Sequence, residues 1–396
     1  MKKKPIVTLL GNNSGRNLGD AAIMSAILDR LSAHVPDVEV LVPSIKPDFI
    51  DKHYGERYNV KGVDVRPHTI SMRLLGIPTF RCLLKSDIAL ICDGIIFGRK
   101  LFSPHNFLIT LIFLVPFAKL AGCKIVCFSC GIGPFPSKLS KIFAKWVIQL
   151  SDLVIMREND SASLAKELGV TQPIQVTGDA AFVNPVSGED AAKKLAQENN
   201  LDLEKPLIGL NITPYIDSWL TAEEQVDQKQ LFLVHYADAV TEALKTIEAE
   251  SGVRPQPVIF SCSPMDEAFS SEFANKVGGV VVDNSRYLSH DMQALMRECD
   301  LLIGMRFHSL VLASGAGAAI LGLVYAPKVK GYMRLLGCED YCVELKDISK
   351  PEFPKTICKA WSERIDLRNR QQKIVDDLRA GAENAFVQLK DRYFSA

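Results

Sequence analysis

The sequence has no excess of charge of either sign. Its 46 lysine and arginine residues balance 46 aspartate and glutamate residues, which leaves a net charge of zero at pH 7. A protein that binds nucleic acid through its overall charge is usually basic, so we predict no nucleic-acid partner. With 396 residues, 47% of them hydrophobic, the chain is long enough for two domains of the usual ~100–200 residues.

Long hydrophobic runs are also missing. The run near the start, residues 6–10, has five residues, whereas the apolar region of a signal peptide needs about 7–15. The other candidate, residues 107–122, is shorter than the ~20 residues of a membrane span and is interrupted by Pro116 and Lys119. We therefore predict that residues 107–122 form a buried helix and that the protein is cytoplasmic. A peripheral contact with the inner face of the membrane stays open.

The ten cysteines lack the pattern of a metal site. Cys127 and Cys130 have C-x-x-C spacing, but no second C-x-x-C pair accompanies them. The others are scattered, several of them in apolar runs, as is typical of reduced thiols in a cytosolic protein. We interpret them as small buried apolar side chains and predict no metal. The sequence also lacks G-x-S-x-G and a Cys–His nucleophile pattern.

What the sequence does contain is a regular alternation of short β-branched runs with segments of helical length. This alternation predicts parallel sheets with helices on both faces, in two doubly wound α/β, Rossmann-like domains that face a cleft. A polar stretch at 182–206 divides it, so we predict domains at 1–185 and 186–360 and an amphipathic helix at 361–396 that packs back on the first domain. The predicted strands are residues 6–10, 38–42, 88–92, 124–129, 152–156 and 173–177 in the first domain, and 206–212, 257–262, 278–284, 300–305 and 319–325 in the second.

A glycine-rich loop, GNNSGRNLGD, follows the first predicted strand. Its glycines, Gly11, Gly15 and Gly19, have neither dinucleotide-binding nor P-loop spacing. Glycine lets a ligand approach the backbone, and the next helix offers unpaired N–H groups to an anion. The alternative is a turn that only needs positive φ. The loop's polar residues are also substrate-binding candidates (Asn12 and Asn17), and Asp20 is a candidate helix cap.

A second candidate site is DLLIGMRFHSL, where a predicted strand ends and a helix begins. Gly304 precedes Arg306, whose planar charged donors suit carboxylate or phosphate. His308 can bind the same anion or carry a proton near neutral pH. Residues two apart diverge on a helix, so both reach one ligand only if Arg306 lies in the turn before it.

Cations follow two further predicted strands. Lys328 and Lys330 lie after the strand at 319–325, before a predicted helix, and reinforce an anion site or are solvated. Arg157 lies at a strand end in the first domain, where Glu158 or Asp160 is an alternative structural partner. Together with the glycine loop, these residues predict a site for a small polyanion that uses acid–base chemistry without a metal.

Three blocks of this sequence resemble those of the polysaccharide pyruvyl transferase family. GNNSGRNLGDAAI resembles its opening motif, and CGIGPFP with MRENDSASLAKELGV and TGDAAF its middle blocks. GMRFHSLVLASGAGAAILGLVYAPKVKGYMRLLG resembles its C-terminal signature, so the resemblance covers residues 6–337. It implies a fold similar to glycosyltransferase B proteins. It also implies transfer of a pyruvyl group from phosphoenolpyruvate to saccharide hydroxyls, as a ketal, in cell-surface polysaccharide biosynthesis.

The resemblance also implies roles for single residues. Arg306, His308 and Arg157 match family positions, with His308 as acid or phosphate ligand and the arginines and two lysines as holders of the donor's charges. Phosphoenolpyruvate is then a co-substrate, and no cofactor is needed. Asp20 and Asp93 are the candidate bases.

Two blocks depart from the family pattern. The middle block has glutamate after Arg157, where relatives commonly have aspartate. Asp93 and Gly94 lie in ICDGIIFGRK, where relatives have a run of glycines, and we expect this change to reshape the acceptor side. On this hypothesis 1–185 is the acceptor side and 186–360 the donor side. The glycine loop makes room for the acceptor opposite Arg306 and His308.

Two other functions fit the same residues. One is a nucleotide-sugar-dependent glycosyltransferase or epimerase of the same fold. The other is a family member that binds a saccharide without turnover. The acceptor sugar, and whether it is lipid-linked, are left open by the sequence.

Overall fold

The computed structural model describes residues 4–65, 76–103, 106–214 and 222–395, without the side chains of 222–227. These residues form two compact units. The first unit contains the chain up to Gly15, Asp20–Asn184 and the chain from Leu378 onward. The second contains Arg16–Gly19 and Pro185–Asp377. The glycine-rich loop therefore contributes residues to both units.

A seven-stranded parallel sheet is the centre of the first unit. Its order is β3-β2-β1-β4-β5-β6-β7. The chain winds outward from β1 in one direction and from β4 in the other, so the switch point lies between β1 and β4, where ligands of doubly wound sheets bind. The strands are β1 Ile6–Leu10, β2 Glu39–Ser44, β3 Val60–Asp64, β4 Ile88–Ile91, β5 Lys124–Cys130, β6 Leu153–Met156 and β7 Ile174–Val176.

Helices connect these strands and cover the sheet. The central strands β4, IALI, and β6, LVIM, are buried at every residue, as expected of parallel strands with helices on both faces. The helices are α1 Leu18–His34, α2 Pro47–Tyr54, α3 Ile77–Lys85, α4 Leu108–Leu120, α5 Lys138–Gln149 and α6 Asn159–Glu167, followed by a short 3-10 turn at Ala180–Val183.

Helix α4 corrects the expectation for residues 107–122. The segment is a helix, as predicted, and its inner face packs in the core through Leu108, Leu111, Leu114, Val115 and Ala118. Its outer face is not buried, because Phe113, Phe117 and Leu120 are exposed. None of the described helices is long and apolar enough to cross a membrane.

The cysteines lie mostly in the cores. All ten are free thiols and eight of them are buried. Cys127 and Cys130 lie on β5, where the Cys127 thiol is 3.2 Å from the Ser151 hydroxyl. This placement agrees with the interpretation of these residues as small apolar side chains.

The second unit repeats the same architecture with six parallel strands. Their order is β10-β9-β8-β11-β12-β13, so the switch point lies between β8 and β11. The strands are β8 Leu207–Leu210, β9 Gln256–Ser261, β10 Val280–Asp283, β11 Leu301–Gly304, β12 Ala319–Val324 and β13 Cys342–Glu344. The helices are α7 Glu189–Glu198, α8 Ala222–Ser251, α9 Glu267–Val277, α10 Ser289–Arg297, α11 Phe307–Ala316, α12 Pro327–Leu335 and α13 Glu352–Ser362.

Helix α14, Arg364–Tyr393, closes the chain and is shared between the units. In the second unit, its Arg364 donates to Asp300 at 3.2 Å. In the first unit, the ring of Phe386 packs on Phe128 with centroids 4.7 Å apart. The two ends of this helix therefore make contacts within different units.

The predicted fold class is confirmed, and eleven of the strands lie where the sequence predicts them, within three residues at each end. Two strands, β3 and β13, have no counterpart in the prediction. Both are edge strands with half-exposed residues, so their sequences, VKGVD and CVE, lack a continuous apolar run.

Candidate active site

Several polar residues of the first unit lie at the carboxyl edge of its sheet. Because all of its strands are parallel, the residues that follow them meet along one edge. Asn12 follows β1, Asp93 follows β4, Arg157 follows β6 and Asp179 follows β7. Asn12 and Asp93 lie on either side of the switch point.

Asp93 is a buried carboxyl in an uncommon backbone conformation. It has φ of +59° and a side chain that is 3% exposed. Its Oδ2 accepts the backbone N–H of Asn12 at 2.7 Å, and the Asn12 amide donates to Asp20. A Cβ on Gly11 would lie 2.8 Å from Asp93 Oδ2. The space that Gly11 leaves is therefore occupied by Asp93.

Burial and a neighbouring charge perturb the titration of Asp93. Burial raises the pKa of its carboxyl well above the usual range, and the negative charge of Asp20 raises it further. The N–H of Asn12 and the charge of Arg157 oppose this shift. Asp93 therefore holds its proton to a higher pH than an exposed aspartate, which suits a group that exchanges protons with a ligand.

Arg157 is held by two carboxylates. Its side chain is 10% exposed, with Nε donating to Glu158 at 2.5 Å and Nη1 to Asp179 at 3.3 Å. A Cβ on Gly131 would overlap the guanidinium at 2.5 Å, so this glycine permits its approach. Glu158, named from the sequence as an alternative partner, does pair with Arg157. The two carboxylates compensate the charge that was predicted to hold a ligand.

The glycine-rich loop caps helix α1 differently from the prediction. The helix begins at Leu18, and the Asn17 side chain accepts the N–H of Gly19 at 3.1 Å. Asp20 lies within the first turn, so its predicted role as the cap is wrong. Gly15 has φ of +70°, and the ring of Phe49 lies 2.3 Å from the position of a Cβ there. Gly15 is therefore required by the positive φ of the turn and by its contact with Phe49.

In the second unit, Arg306 lies in the turn before helix α11. Its backbone is extended, with φ of −69° and ψ of 134°. Its N–H donates to Asn211 Oδ1 at 2.8 Å, and Ser309 donates to the same oxygen at 3.1 Å. Asn211 follows β8 and is fully buried, so it fixes this turn across the second switch point.

The Arg306 side chain is bound to an aspartate that the sequence did not reveal. Its Nε and Nη2 donate to the two carboxylate oxygens of Asp266 at 2.6 Å and 2.7 Å. Asp266 is fully buried. Burial alone would lower the pKa of Arg306, but the bonds to Asp266 raise it above its ordinary value. The pair carries no net charge, so the guanidinium is not the uncompensated cation that the sequence suggested.

His308 is the second residue of α11 and lies against the start of α1. A Cβ on Gly19 would lie 2.0 Å from His308 Nδ1, so only glycine fits beside this ring. Two contacts hold the segment Arg16–Gly19 in the second unit. Arg16 pairs with Glu267 at 2.5 Å, and the N–H of Leu18 donates to the carbonyl of Cys262 at 2.8 Å.

The two predicted lysines differ in their surroundings. Helix α12 begins at Pro327, so both lie within it and not before it. Lys328 Nζ lies 5.9 Å from the ring centre of Phe307 and 5.6 Å from that of Tyr325, close to the turn that carries His308. Lys330 pairs with Glu344 at 2.8 Å on the surface.

The remaining predicted glycines have different surroundings. A Cβ on Gly304 would lie 2.6 Å from Leu310 and 2.7 Å from the hydroxyl of Ser309, so this glycine lets α11 pack closely on β11. Gly94 is exposed, with no atom within 4 Å of the position of a Cβ. It therefore leaves space beside Asp93.

Comparison with known sequences decides the family. Residues 17–327, more than half of the chain, match the family described as polysaccharide pyruvyl transferase. The chain belongs to the polysaccharide pyruvyl transferase family. This pyruvyl transferase family member is also similar to the amylovoran biosynthesis protein AmsJ of Erwinia amylovora, with 21% identity over 383 residues, 86% of this chain and 88% of that protein. The family makes it a transferase with a role in modifying polysaccharides.

Solved structures show the same fold. The UDP-GlcNAc 2-epimerase of Neisseria meningitidis, bound to UDP-GlcNAc, has a TM-score of 0.59 at 11% identity, covering 98% of each chain. The UDP-GlcNAc 2-epimerase of Methanocaldococcus jannaschii has a TM-score of 0.57 at 12% identity, covering 91% of this chain and 92% of that one. These identities are low, so the likeness establishes two Rossmann-like domains of the glycosyltransferase B kind and no substrate.

Three buried residues of this pyruvyl transferase family member were missed as site residues. Asp179 lies in TGDAAF, a block that carried the family resemblance without any role for Asp179 itself. Asp266 lies in SPMDEAF and Asn211 after PLIGL, where no spacing marks either residue. Their position at the carboxyl end of a strand was the available signal, but many other polar residues share it.

Proposed function

We propose that this protein transfers the pyruvyl group of phosphoenolpyruvate to two hydroxyls of a saccharide, as a ketal, in cell-surface polysaccharide biosynthesis. The family supports this proposal. The observation that carries it is the turn Arg306–His308, because it places a rigidly held guanidinium and an imidazole together where a parallel strand meets the first turn of a helix. Such a turn suits an anionic ligand.

The donor is assigned to the second unit. Phosphoenolpyruvate has a phosphate and a carboxylate, so it needs several donors and cations. The N–H groups at the start of α11, the His308 ring and Lys328 supply them. Arg306 uses Nε and Nη2 for Asp266, which leaves the Nη1 edge for the ligand. Asp266 and Asn211 are positioning residues that hold this arginine.

The acceptor is assigned to the first unit. Asn12 bridges two carboxyl groups by donating its backbone N–H to Asp93 and its side-chain amide to Asp20. The raised pKa of Asp93 and the space beside Gly94 suit a saccharide hydroxyl that gives up a proton. This assignment retains Asp20 and Asp93 as the base, acting as a pair.

The proposed chemistry balances with phosphoenolpyruvate as the only co-reactant. His308 gives a proton to the methylene carbon, which leaves C2 electron-deficient. The first hydroxyl adds to C2 and loses its proton to the Asp20–Asp93 pair. The C2–O bond to phosphate then breaks, phosphate leaves with the bonding electrons, and the second hydroxyl takes its place and gives its proton to the departing phosphate. The proton held by the Asp20–Asp93 pair returns through solvent to His308. One phosphoenolpyruvate and one diol give one ketal and inorganic phosphate.

Binding of phosphoenolpyruvate tests the donor part of this proposal without knowledge of the acceptor. We expect phosphoenolpyruvate to raise the unfolding midpoint, since a ligand at a hundredfold excess over its dissociation constant stabilises by about 2.7 kcal/mol. His308→Gln should reduce this stabilisation to about half or less, as expected for an affinity lowered by at least about tenfold, while the control His235→Gln, on α8 of the same unit, keeps it. A shift with UDP-GlcNAc and none with phosphoenolpyruvate would favour the nucleotide-sugar enzyme. Saccharide binding without phosphate release would favour the non-catalytic member.

A further inference from the structure

Helices α3, α4 and α5 lie side by side on the first unit. Helix α4 contacts both of the others, and the rings of Phe80 and Phe117 meet edge to face at 6.0 Å. All three helices pack their inner residues into one hydrophobic core with the sheet, through Leu83, Leu111 and Ala144 among others. Their outer faces form a continuous surface.

This outer surface is apolar. Leu120 is 84% exposed and Trp146 is 60% exposed. On α4 and α5 the exposed residues recur at helical spacing, so each helix shows one apolar stripe to solvent. The members of this apolar surface are Ile77 and Leu84 on α3, Phe113, Phe117 and Leu120 on α4, and Leu139, Ile142 and Trp146 on α5. A patch of this kind on a folded protein marks an interaction site.

The charges around it have one sign. In a chain with equal numbers of acidic and basic residues, these three fully described helices have six cations and no aspartate or glutamate. The cations are Arg81, Lys85, Lys119, Lys138, Lys141 and Lys145. Two acidic residues that border the surface are engaged. Asp152 pairs with Lys119 at 2.9 Å, so the other five cations carry the net charge, and Asp87 accepts the N–H of Ile6 at 2.9 Å.

We propose that the outer surface of α3, α4 and α5 docks the protein on an anionic lipid bilayer. Phenylalanine, leucine and tryptophan side chains insert at the level of the headgroups, and lysines and arginines are attracted to negative lipids. A second copy of this chain fits less well, because a two-fold contact would bring the same cations against each other. The proposal does not depend on the reaction at the switch points.

Vesicle sedimentation tests the lipid surface. We expect the purified protein to sediment with vesicles of equal parts phosphatidylcholine and phosphatidylglycerol. Binding should be about tenfold weaker on pure phosphatidylcholine and should weaken as salt is added. Lys138→Glu with Lys141→Glu should weaken binding to the anionic vesicles by more than about tenfold. The matched control, Lys193→Glu with Lys194→Glu on α7, should bind as the wild type does.

The apolar part of the surface is tested separately. Trp146→Ser should weaken vesicle binding by about tenfold. Ile365→Ser, at an equally exposed apolar residue on α14, should leave it unchanged. Thermal unfolding of each variant shows whether it is folded. The proposal would be overturned if the folded wild type did not sediment with anionic vesicles. It would also be overturned if either control variant lost as much vesicle binding as the variant with which it is paired. A dimer in solution that Trp146→Ser dissociates, without vesicle binding, would assign the surface to a second copy.

Discussion

At the switch point of the first sheet, the asparagine after β1 donates its backbone N–H to a buried aspartate after β4. At the switch point of the second sheet, the side chain of Asn211, after β8, accepts the backbone N–H of Arg306, after β11. The frameworks match strand for strand around these points. Two carboxyl groups, those of Asp93 and Asp20, lie near the first switch point. Arg306 and His308 lie near the second.

The order of the strands determines where polar groups come together, and the residues that follow the strands determine the charge of each site. In the first unit, burial and then the negative charge of Asp20 raise the pKa of Asp93, so this carboxyl keeps its proton to a higher pH. In the second unit, a buried ion pair, Arg306–Asp266, cancels its own charge and leaves a rigid turn. On the proposed function, the first unit takes the acceptor's proton and the second holds the anionic donor.

The largest effect is expected from breaking the ion pair of the second unit. Asp266→Leu leaves the Arg306 guanidinium buried without its partner, which should lower the free energy of unfolding by about 3–5 kcal/mol. Chemical denaturation measures this value. The matched control is Asp266→Leu combined with Arg306→Met, which should recover most of the loss because no buried charge is left over. Equal stability of the single variant and the wild type would contradict this account of the pair.

The next effect concerns the close approach of Gly19 to His308. Gly19→Ser places an atom where the imidazole lies, so the ring must move, at a cost of about 2 kcal/mol in stability. Such a displacement should lower turnover by about a hundredfold. Gly188→Ser is the matched control, because no atom lies within 4 Å of a Cβ there. Similar kinetics in both variants would show that the His308 position does not matter.

A third effect follows from the raised pKa of Asp93. The folded protein keeps a proton that the unfolded chain loses near its own pKa, about 4. The folded state then binds more protons, so the free energy of unfolding falls as pH rises, by at most about 1.4 kcal/mol per pH unit, until the folded pKa is reached.

Asp93→Asn removes this titration and retains an oxygen for the Asn12 N–H. The variant should therefore gain stability over the wild type as pH rises from about 4. Denaturation curves at a series of pH values measure the difference. Parallel pH dependences of the two proteins would contradict the buried, shifted carboxyl.

The smallest effect separates the two lysines of α12. Lys328→Gln should weaken phosphoenolpyruvate binding about fivefold, and this loss should shrink at high salt. Lys330→Gln removes a surface partner of Glu344 and should change affinity by no more than about twofold. Titration calorimetry at two ionic strengths measures both. A larger loss of affinity in Lys330→Gln than in Lys328→Gln would contradict the assignment of the donor to the turn that carries His308.

The sequence predicted the elements whose signal is local. Strands such as IALI and LVIM are buried at every residue, so their apolar runs identify them. The edge strands β3 and β13, VKGVD and CVE, were missed because they are short and have no continuous apolar run. Asn17 and Asp20 are both good helix caps, and only the structure decides for Asn17.

For the site, the sequence predicted residues but not their partners. Arg306 and His308 are marked by a glycine, a strand end and a helix start. Asp266 is joined to Arg306 only by the parallel neighbours β8, β9 and β11, which bring residues 40 apart in sequence together. Such long-range pairs leave no local pattern. The sequence therefore overestimated the free positive charge of this site.

In the proposed reaction, the second unit binds phosphoenolpyruvate and the first takes the acceptor's proton. Titration calorimetry of phosphoenolpyruvate with His308→Gln and Asp93→Asn tests it most directly, with phosphate release measured on the same preparations. We expect His308→Gln to weaken phosphoenolpyruvate binding by at least about tenfold. Asp93→Asn should bind as the wild type does and release no phosphate in the presence of acceptor. Lost binding in Asp93→Asn, with full binding in His308→Gln, would contradict it.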